Sequence, residues 1–419
     1  MKLPLLLLAV SFAGFAASQA TDSKIAAGAV NALGVDLYRT RATGSDNVLL
    51  SPYSIQSALA MTFAGADGDT QSEMRRVLHF PAADKALHES FGALARDLTE
   101  TAANSVKLVK DSKQFGGPST PIEFNLANRL FAQRGYEFRA SFLSLVKERY
   151  AAPLEQMDFK TAPDKSRTAI NRWVESQTKN RIRELMPSGV IRKDTRLVLV
   201  NALYLRAPWG NEFDEKQTKP ERFLARGREE IKVPTMLGEM GCGYAKRNGF
   251  QIVTLGYSNG DLQFIIVLPA KANGLAAIEK GLSPKLLDEC ARLPSRDVIL
   301  HLPKLRFEPP TLPLGESLKT LGMRTAFDEP PGSANFDRMA PRKPNDYLAI
   351  GAVLHKTFLA LDEKGTEAAA ATASTLVALG AAEPGPKPIE VRVDRPFLFA
   401  IQHVPSGACL FLGRVTDPR

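Results

Sequence analysis

The segment that decides the fold of this chain is DEKGTEAAAATAS, residues 362–374. It follows an apolar run, IGAVLHKTFLAL at residues 350–361, that predicts a buried strand. With the two-residue period of a strand, one face of the segment carries no charge from residue 366 onward. That face comprises Thr366, Ala368, Ala370, Thr372 and Ser374, and Glu367 falls on the other face, where water can solvate it. Alanine forms strands weakly, so the segment is able to enter a sheet without being held there, as expected of a moving part.

An alanine run is more often a helix or a low-complexity linker, but the residues after this run argue against a helix. Residues 379–388, LGAAEPGPKP, are rich in helix breakers and predict an exposed, extended chain. The pattern of a strand then resumes at residues 389–394. Residues 363–388 therefore form a loop that is too long for a compact domain unless it is functional or disordered.

The first twenty residues predict a secretory signal. Lys2 precedes an apolar core at residues 3–15, and small residues lead up to Ala20, where cleavage is expected. The alternative, a membrane anchor, is disfavoured because the apolar run is shorter than a bilayer span. The expected organisation is a signal at 1–20 and a single domain at 21–419. The expected localisation is secreted, either extracellular or, in a bacterium, periplasmic.

The composition excludes several classes of function. The three cysteines, Cys242, Cys290 and Cys409, are too few and too scattered for a disulfide framework or a metal site. They are interpreted as free thiols, with one bridged pair as the alternative. The net charge of +9 is spread through the chain, so neither nucleic-acid nor membrane binding is indicated. A polyanion site on Lys107, Lys110 and Lys113 is the one weak exception, and a solvated face is the simpler interpretation of these lysines.

Hydrophobic periodicity indicates a mixed α+β fold with mostly antiparallel strands. Helices are predicted at residues 25–38, 53–63, 74–78, 85–98, 142–150, 168–178, 275–280 and 284–292. Strands are predicted at residues 122–131, 197–205, 252–256, 262–268, 298–302, 349–361 and 397–403. The strand at 197–205 is apolar on both faces apart from Asn201, so it is expected in the centre of a sheet, with a partner for that amide.

Several motifs occur in a fixed order along the mature chain. They are NVLLSPYSI (47–55), FNLANRLF (124–131), INRWV (170–174), LVNALYL (199–205) ahead of Trp209, LPKL (302–305), LKTLGM (318–323) and DRPFLF (394–399). Together with the segment at 362–374, they resemble the serpin family over essentially the whole mature length. The resemblance implies three sheets, about nine helices and an exposed reactive-centre loop at 363–388.

The resemblance also implies a mechanism, that of a suicide substrate. A serine protease cleaves the loop and forms an acyl-enzyme, and the N-terminal part of the loop then inserts into the large sheet and traps the protease covalently. The residues that insert form the hinge: Glu363, Gly365, Thr366, Glu367, Ala368, Ala369, Ala370, Ala371 and Thr372. No cofactor is expected, and the chain itself supplies no catalytic residue.

The family's spacing from hinge to reactive bond spans seventeen residues from Glu363, which ends at Leu379 and predicts cleavage at Leu379–Gly380. The loop beyond that bond is longer than usual, so Leu376–Val377 stays as the alternative. The loop contains no arginine. Chymotrypsin-, elastase-, cathepsin G- or subtilisin-like targets are therefore favoured over trypsin-like ones.

Two further groups correspond to family sites. Ser51, Ser54, Asn201 and His355 match the shutter, the polar cluster beneath the opening of the sheet. Trp209, Lys304 and Glu363 match the breach at the top of that opening, with an expected salt bridge between Lys304 and Glu363. Without the resemblance, each residue has an ordinary interpretation as a cap, a core residue or a surface charge.

Three other functions compete with that of a serine protease inhibitor. An enzyme is disfavoured, because the sequence has no H-E-x-x-H, G-x-S-x-G or P-loop motif. A non-inhibitory serpin, acting as a carrier or a chaperone, is disfavoured because residues 368–371 contain no proline, charge or bulky side chain. An inhibitor of cysteine proteases would share every feature above. The expected protein is a monomer whose partner is a serine protease.

Overall fold

A computed structural model describes residues 22–115, 117–367 and 387–419. In this part of the chain there are nine α-helices and seventeen strands. The helices are α1 (Lys24–Arg41), α2 (Pro52–Phe63), α3 (Gly68–Val77), α4 (Asp84–Ser112), α5 (Ala140–Tyr150), α6 (Pro163–Gln177), α7 (Leu275–Gly281), α8 (Pro284–Cys290) and α9 (Gly315–Thr320). Short 3₁₀ turns lie at Lys113–Phe115, Glu215–Gln217 and Thr325–Phe327.

The strands make two hydrogen-bonded networks. They are β1 (Val48–Leu50), β2 (Glu123–Gln133), β3 (Glu155–Met157), β4 (Leu197–Pro208), β5 (Lys219–Ala225), β6 (Glu229–Arg247), β7 (Phe250–Gly256), β8 (Leu262–Pro269), β9 (Ser295–Pro303), β10 (Leu305–Phe307), β11 (Leu312–Pro313), β12 (Ile350–Thr357), β13 (Leu359–Asp362), β14 (Gly365–Thr366), β15 (Ile389–Arg392), β16 (Phe397–His403) and β17 (Cys409–Val415).

The eight-stranded network carries the candidate site. Its order is β10-β13-β14-β4-β12-β11, with β2 on the other edge of β4 and β3 beside β2. As predicted, β4 is buried on both faces, apart from half-buried Arg206. Its residues Val198 and Val200 pack in one apolar cluster with Ile170 and Val174 of α6. Leu197 and Leu199 belong to the main core on the opposite face, which contains α2. The sheet is therefore covered by a helix on each side.

The nine-stranded network divides at β6, which is nineteen residues long. Residues 229–235 of β6 pair with β5, residues 235–243 pair with β9, and β9 pairs with β15. The end of β6 pairs with β7, which leads through β8, β16 and β17 to β1. Counted separately, these two sets and the eight-stranded network correspond to the three sheets that the resemblance implies.

The central helix α2 shows why the local sequence folds as it does. Ser51 precedes it with an extended backbone, and its hydroxyl accepts a hydrogen bond from the Ser54 N–H at 3.3 Å. Pro52 occupies the first turn, where its missing N–H has no cost. Every residue of α2 is buried, which places this helix in the centre of the core.

Two predicted elements need correction. The single strand expected at 349–361 is divided at Phe358 into β12 and β13, because its lower part pairs with β4 and its upper part with β14. The helix expected at 85–98 continues to Ser112. Most of the polar residues after position 98 lie on its solvent side, where they weaken the apolar periodicity without opposing a helix.

The structure describes all three cysteines as free and buried, in agreement with the first interpretation. Burial raises the pKa of Cys242 and of Cys290 to about 12, so both thiols are protonated at neutral pH. Among the described residues, no helix has the length and apolar character needed to cross a membrane.

Candidate functional site at the opening of the eight-stranded sheet

The upper part of the eight-stranded sheet holds the beginning of the hinge. Strand β14, which consists of Gly365 and Thr366, lies between β4 and β13 and is antiparallel to both. Below it, β4 and β12 pair directly in parallel, from Leu197 opposite Ile350 to Leu203 opposite Thr357. The sheet is thus open by one strand at the top and closed lower down.

Gly365 is required at the top of the opening. Its φ of +145° lies in a region that residues with a Cβ avoid. A Cβ at this position would lie 2.7 Å from the Pro208 Cα and closer still to the carbonyl oxygen of Ala207. Only glycine lets the hinge backbone approach β4 closely enough to pair with it.

Thr366 is already inside the sheet. Its side chain is 1 % exposed, and its hydroxyl makes a 2.6 Å hydrogen bond with the hydroxyl of Tyr257. The sequence placed Thr366 on the inward face but gave no partner for it. Tyr257 is 109 positions away, between the predicted strands at 252–256 and 262–268, and nothing in the local pattern identifies it.

Trp209 fixes the turn that leads into β14. Its backbone N–H donates to the Lys364 carbonyl at 2.8 Å, and its indole N–H donates to the Asp362 carbonyl at 2.9 Å. The indole ring stacks on Tyr257 with 4.7 Å between the ring centroids. One aromatic pair therefore contacts both the turn before the hinge and, through the Tyr257 hydroxyl, the hinge itself.

Lys304 and Glu363 form the ion pair predicted for the breach. The Lys304 ammonium lies 2.8 and 3.1 Å from the two carboxylate oxygens of Glu363, and the Thr218 hydroxyl donates to the same carboxylate at 2.7 Å. Burial by itself would raise the pKa of Glu363, but the hydrogen bonds from Lys304 and Thr218 outweigh it and hold that pKa below its usual value. The carboxylate is charged at neutral pH and fixes the start of the loop.

The environment of Glu367 differs from the prediction, which placed its side chain in water. Its side chain is only 12 % exposed and pairs with Arg181, just beyond the end of α6. Burial raises the pKa of Glu367, opposed by the charge of Arg181, and one carboxylate oxygen has no partner among the described residues. The face opposite Thr366 is not open to solvent, because the chain beyond α6 covers it. A φ of +48° at Glu367 marks where the chain leaves the strand direction.

Three of the four predicted shutter residues meet at the closed part of the sheet. The ring Nε2 of His355 accepts a hydrogen bond from the Ser51 N–H at 3.0 Å, and Nδ1 lies 2.6 Å from the side-chain oxygen of Asn201. The Asn201 amide in turn donates to the Leu354 carbonyl at 3.0 Å. Burial lowers the pKa of His355 to about 3, so the ring is neutral and its single proton lies on Nδ1.

Ser54, the fourth shutter residue, bonds to a residue that sequence reasoning missed. Its hydroxyl donates to the side-chain oxygen of Asn128 at 3.0 Å, and the Asn128 amide donates to the Ser54 carbonyl at 3.0 Å. Asn128 lies opposite Asn201 in the register of β2 and β4. The available signal was its place in the motif at 124–131.

Other predicted site residues lie outside the described part of the chain. They are Ala368, Ala369, Ala370, Ala371 and Thr372 of the hinge and Leu379 and Gly380 of the reactive bond. Lys107, Lys110 and Lys113 are described and exposed, so a polyanion site there stays a prediction. Among the described residues, no group of His, Cys, Asp and Glu side chains has the arrangement of a metal site.

Comparison with known proteins identifies the class of protein that this fold defines. The family model described as Serpin (serine protease inhibitor) matches residues 28–418. The chain belongs to the serpin family. The leukocyte elastase inhibitor of Bos taurus is 35 % identical over 395 residues, covering 92 % of this chain and 97 % of that protein. Serpin B4 of Homo sapiens is 33 % identical over 389 residues, covering 91 % and 97 %.

A solved structure gives the same result for the fold. The crystal structure of Serpin48 of the insect Tenebrio molitor, described as a highly specific serpin, superposes with a TM-score of 0.77 at 27 % identity. The match covers 98 % of this chain and all of that one. The α+β serpin fold predicted from the sequence is confirmed.

The comparisons contradict the predicted localisation. The matched leukocyte elastase inhibitors and serpin B4 belong to a group of intracellular serpins. The expectation of a secreted protein, extracellular or periplasmic, is therefore wrong. It depended on residues 1–20, which lie outside the described part of the chain.

Proposed function

We propose that this chain is a suicide-substrate inhibitor of serine proteases rather than an enzyme. The observation that carries the proposal is β14, the two hinge residues paired between β4 and β13. These two residues already occupy the top of the position that a longer inserted strand would take. The next hinge residues to enter, 368–372, are alanines and a threonine, which bring no charge into the sheet.

The free energy for trapping a protease would come from completing that strand. Seven residue pairs between β4 and β12 must separate, and each of these strands would then pair with the inserted loop instead. The exchange adds roughly one strand interface, on the order of ten hydrogen bonds at about 0.5–1.5 kcal/mol each. This total is comparable to the whole stability of an ordinary domain, enough to make the step irreversible.

The proposed reactive bond is Leu379–Gly380, and the proposed targets are chymotrypsin- or elastase-like proteases, with which the inhibitor would form a covalent complex as a monomer. Leu379 suits an apolar S1 pocket, and no arginine lies between residues 363 and 388. The bovine relative is named as an inhibitor of leukocyte elastase, which supports the same class of target.

The test is to mix the protein with chymotrypsin, with an elastase and with papain. We expect a complex with the serine proteases that survives SDS, and a released fragment that begins at Gly380. A fragment that begins at Val377 would move the bond to Leu376–Val377. Cleavage without a complex at every ratio would refute inhibition and favour a carrier or chaperone, and a complex with papain alone would assign the chain to cysteine proteases.

The matched variant is Leu379→Arg, which changes only the side chain presented to the protease. It should lose activity against chymotrypsin and gain activity against trypsin, since the trypsin S1 pocket binds a cation. The hinge is unchanged in this variant. Unchanged inhibition of chymotrypsin, with no gain against trypsin, would therefore indicate that residue 379 is not at the reactive bond.

A further inference from the structure

Glu367 lies in a row of residues that crosses the upper part of the eight-stranded sheet. Its N–H donates to the Ala360 carbonyl of β13 at 3.0 Å, and the register of β14 with β4, continued by one position, places it opposite Arg206. From β2 to β10 the row consists of Glu123, Arg206, Glu367, Ala360 and Arg306. The charges of this row alternate in sign, with the hinge residue between two arginines.

The chain that follows α6 covers this row. Ala360 packs against the apolar cluster that contains residues of α6, so the row is on that face of the sheet. Arg181 forms an ion pair with Glu367 there, and its guanidinium carbon lies 5.8 Å from the centroid of the Phe358 ring. The guanidinium carbon of Arg306 lies 5.2 Å from the same centroid. Since Phe358 belongs to the sheet, Arg181 has a contact there that does not depend on the hinge.

The environment of Glu367 makes Arg181 more than a surface contact. The side chain of Glu367 is 12 % exposed, and Arg181 is the one cation in ion-pair contact with it among the described residues. Burial raises the pKa of Glu367, and the charges of Arg181, Arg306 and Arg206 oppose this. Without Arg181, a largely buried carboxylate would keep only the two more distant arginines, which is unfavourable. The position of the hinge should therefore depend on this residue.

We propose that Arg181 is a positioning residue for loop insertion, an assignment that rests on the proposed inhibitory function. Its ion pair with Glu367 forms only while the hinge is in the sheet, so it favours the paired β14 over a hinge that has left the opening. The φ of +48° at Glu367 marks the turn where the chain leaves the strand, and Arg181 holds the residue at that turn. Because insertion has to continue from this residue, loss of Arg181 slows the first step of trapping without changing the reactive bond.

Hydrogen exchange of the intact protein tests the assignment without a protease. The reporter is the peptide that contains Glu367, whose amide is bonded to Ala360. Arg181→Met keeps the aliphatic part of the side chain and loses the charge. We expect exchange of this amide to become about tenfold faster, as for a lost charge-assisted hydrogen bond. Arg181→Lys keeps the charge and should restore most of the protection. Unchanged exchange in Arg181→Met would overturn the proposal.

Arg183→Met is the matched control, since it removes an exposed arginine further along the same segment. The Arg183 guanidinium donates to the Asn180 carbonyl at 3.0 Å, so exchange at Glu367 should stay as in the wild type. Glu367→Gln should give the same acceleration as Arg181→Met, and the double variant no more, because the two residues act through one pair. Equal acceleration in Arg183→Met would attribute the effect to a loosened segment and overturn the role of the ion pair.

Inhibition assays then separate this proposal from the proposed function. With chymotrypsin, the loop of Arg181→Met should be cleaved at the wild-type rate but with a higher stoichiometry of inhibition, and Arg181→Lys should stay close to the wild type. Faster exchange with an unchanged stoichiometry would overturn the role in insertion. A wild-type protein that is cleaved without trapping the protease would refute the proposed function instead, whatever the exchange result.

Discussion

The two ends of the opening in the eight-stranded sheet are built differently. At the upper end, β14 separates β4 from β13, and Trp209, Tyr257 and the pair Lys304–Glu363 hold the turn that leads into it. At the lower end, β4 and β12 pair directly, and the side chains of Asn201 and His355 bond across them. Between the two ends, Tyr204–Arg206 of β4 pair with neither β12 nor β14.

This difference indicates where an insertion would start and what it would have to break. At the upper end, Gly365 and Thr366 are already paired in the sheet as β14, so the start of the hinge needs no new backbone conformation there when the loop inserts. The lower end is a parallel ladder, with one register shift between Ile350 and Ala352, and it carries a hydrogen-bonded polar cluster. These hydrogen bonds must be exchanged before a strand can pass. Cleavage of the loop should remove the difference altogether, whereas single substitutions can alter one end at a time.

Cleavage of the loop at Leu379–Gly380 should make the two ends alike. The freed hinge can then pair along the full length of β4 and β12, with roughly 10 kcal/mol gained. We expect the melting temperature to rise by about twenty degrees or more, since each kcal/mol moves a domain by a few degrees. Calorimetry of intact and nicked protein measures this, and equal or lower stability after nicking would mean that the loop does not insert.

Thr366→Arg should displace β14 from the upper end of the opening and prevent the hinge from inserting there. The position is 1 % exposed, so an unpaired cation there costs at least about 4 kcal/mol. Strand β14 should leave the sheet, and the protein should become a substrate that is cleaved without trapping the protease. The stoichiometry of inhibition measures the change.

Thr366→Val is the matched control for that experiment. It keeps the shape of the side chain and loses only the bond to Tyr257, which costs about 1 kcal/mol. It should therefore still inhibit. An unchanged stoichiometry in Thr366→Arg would exclude the hinge from the mechanism.

Low pH should reduce the free energy of unfolding through His355, at the lower end of the opening. The pKa of His355 is about 3 in the folded protein against 6.5 as its ordinary value, so the unfolded chain takes up the proton first as the pH falls. The stability that this histidine contributes is complete above pH 6.5 and is lost progressively towards pH 3. By pH 4 the loss is about 3 kcal/mol.

Urea unfolding of wild type and His355→Gln at pH 7 and at pH 4 tests this. The glutamine amide can still accept from Ser51, and the variant should lose about 3 kcal/mol less on acidification. His88 and His403, whose pKa values burial also lowers to about 4, are present in both proteins and cancel in the difference. Identical pH dependence in the two proteins would contradict the neutral, buried His355.

Lys304→Met should have the smallest effect, at the upper end. It leaves the buried carboxylate of Glu363 with Thr218 as its remaining side-chain donor, at a cost of about 2 kcal/mol at pH 7. The pKa of Glu363 is held below its usual value in the folded protein. The stability that the ion pair contributes is therefore complete above the usual pKa of a glutamate and is lost as the pH falls through the lowered pKa. The gap between wild type and variant should therefore narrow in acid.

Lys364→Met is the matched control for Lys304→Met. The ammonium of Lys364 lies 3.2 Å from Glu215, whose side chain is 63 % exposed, and such a pair contributes less than about 1 kcal/mol. Thermal unfolding at pH 7 compares the two variants. Equal losses would mean that the Lys304–Glu363 pair is no stronger than a surface contact.

Much of the site was accessible from the sequence because its signals are local. The central strand that contains Asn201 and the inward direction of Thr366 each follow from a few neighbouring residues. The breach pair Lys304–Glu363 and the shutter residues were placed by the order of motifs along the chain. The break at Phe358 was missed, because a strand that changes partners halfway has the same alternation as one that does not.

The sequence by itself determined that the chain has a serpin fold and that Thr366 turns inward at the start of the hinge. Only the tertiary structure decided which residues contact the site: Tyr257 contacts Thr366 and Arg181 contacts Glu367 in the hinge, and Asn128 contacts Ser54 in the shutter. The physical reason is that the period of a strand gives the direction of each side chain, whereas its partner comes from a distant part of the chain. Burial, ion pairing and the pKa values of the site depend on those distant partners.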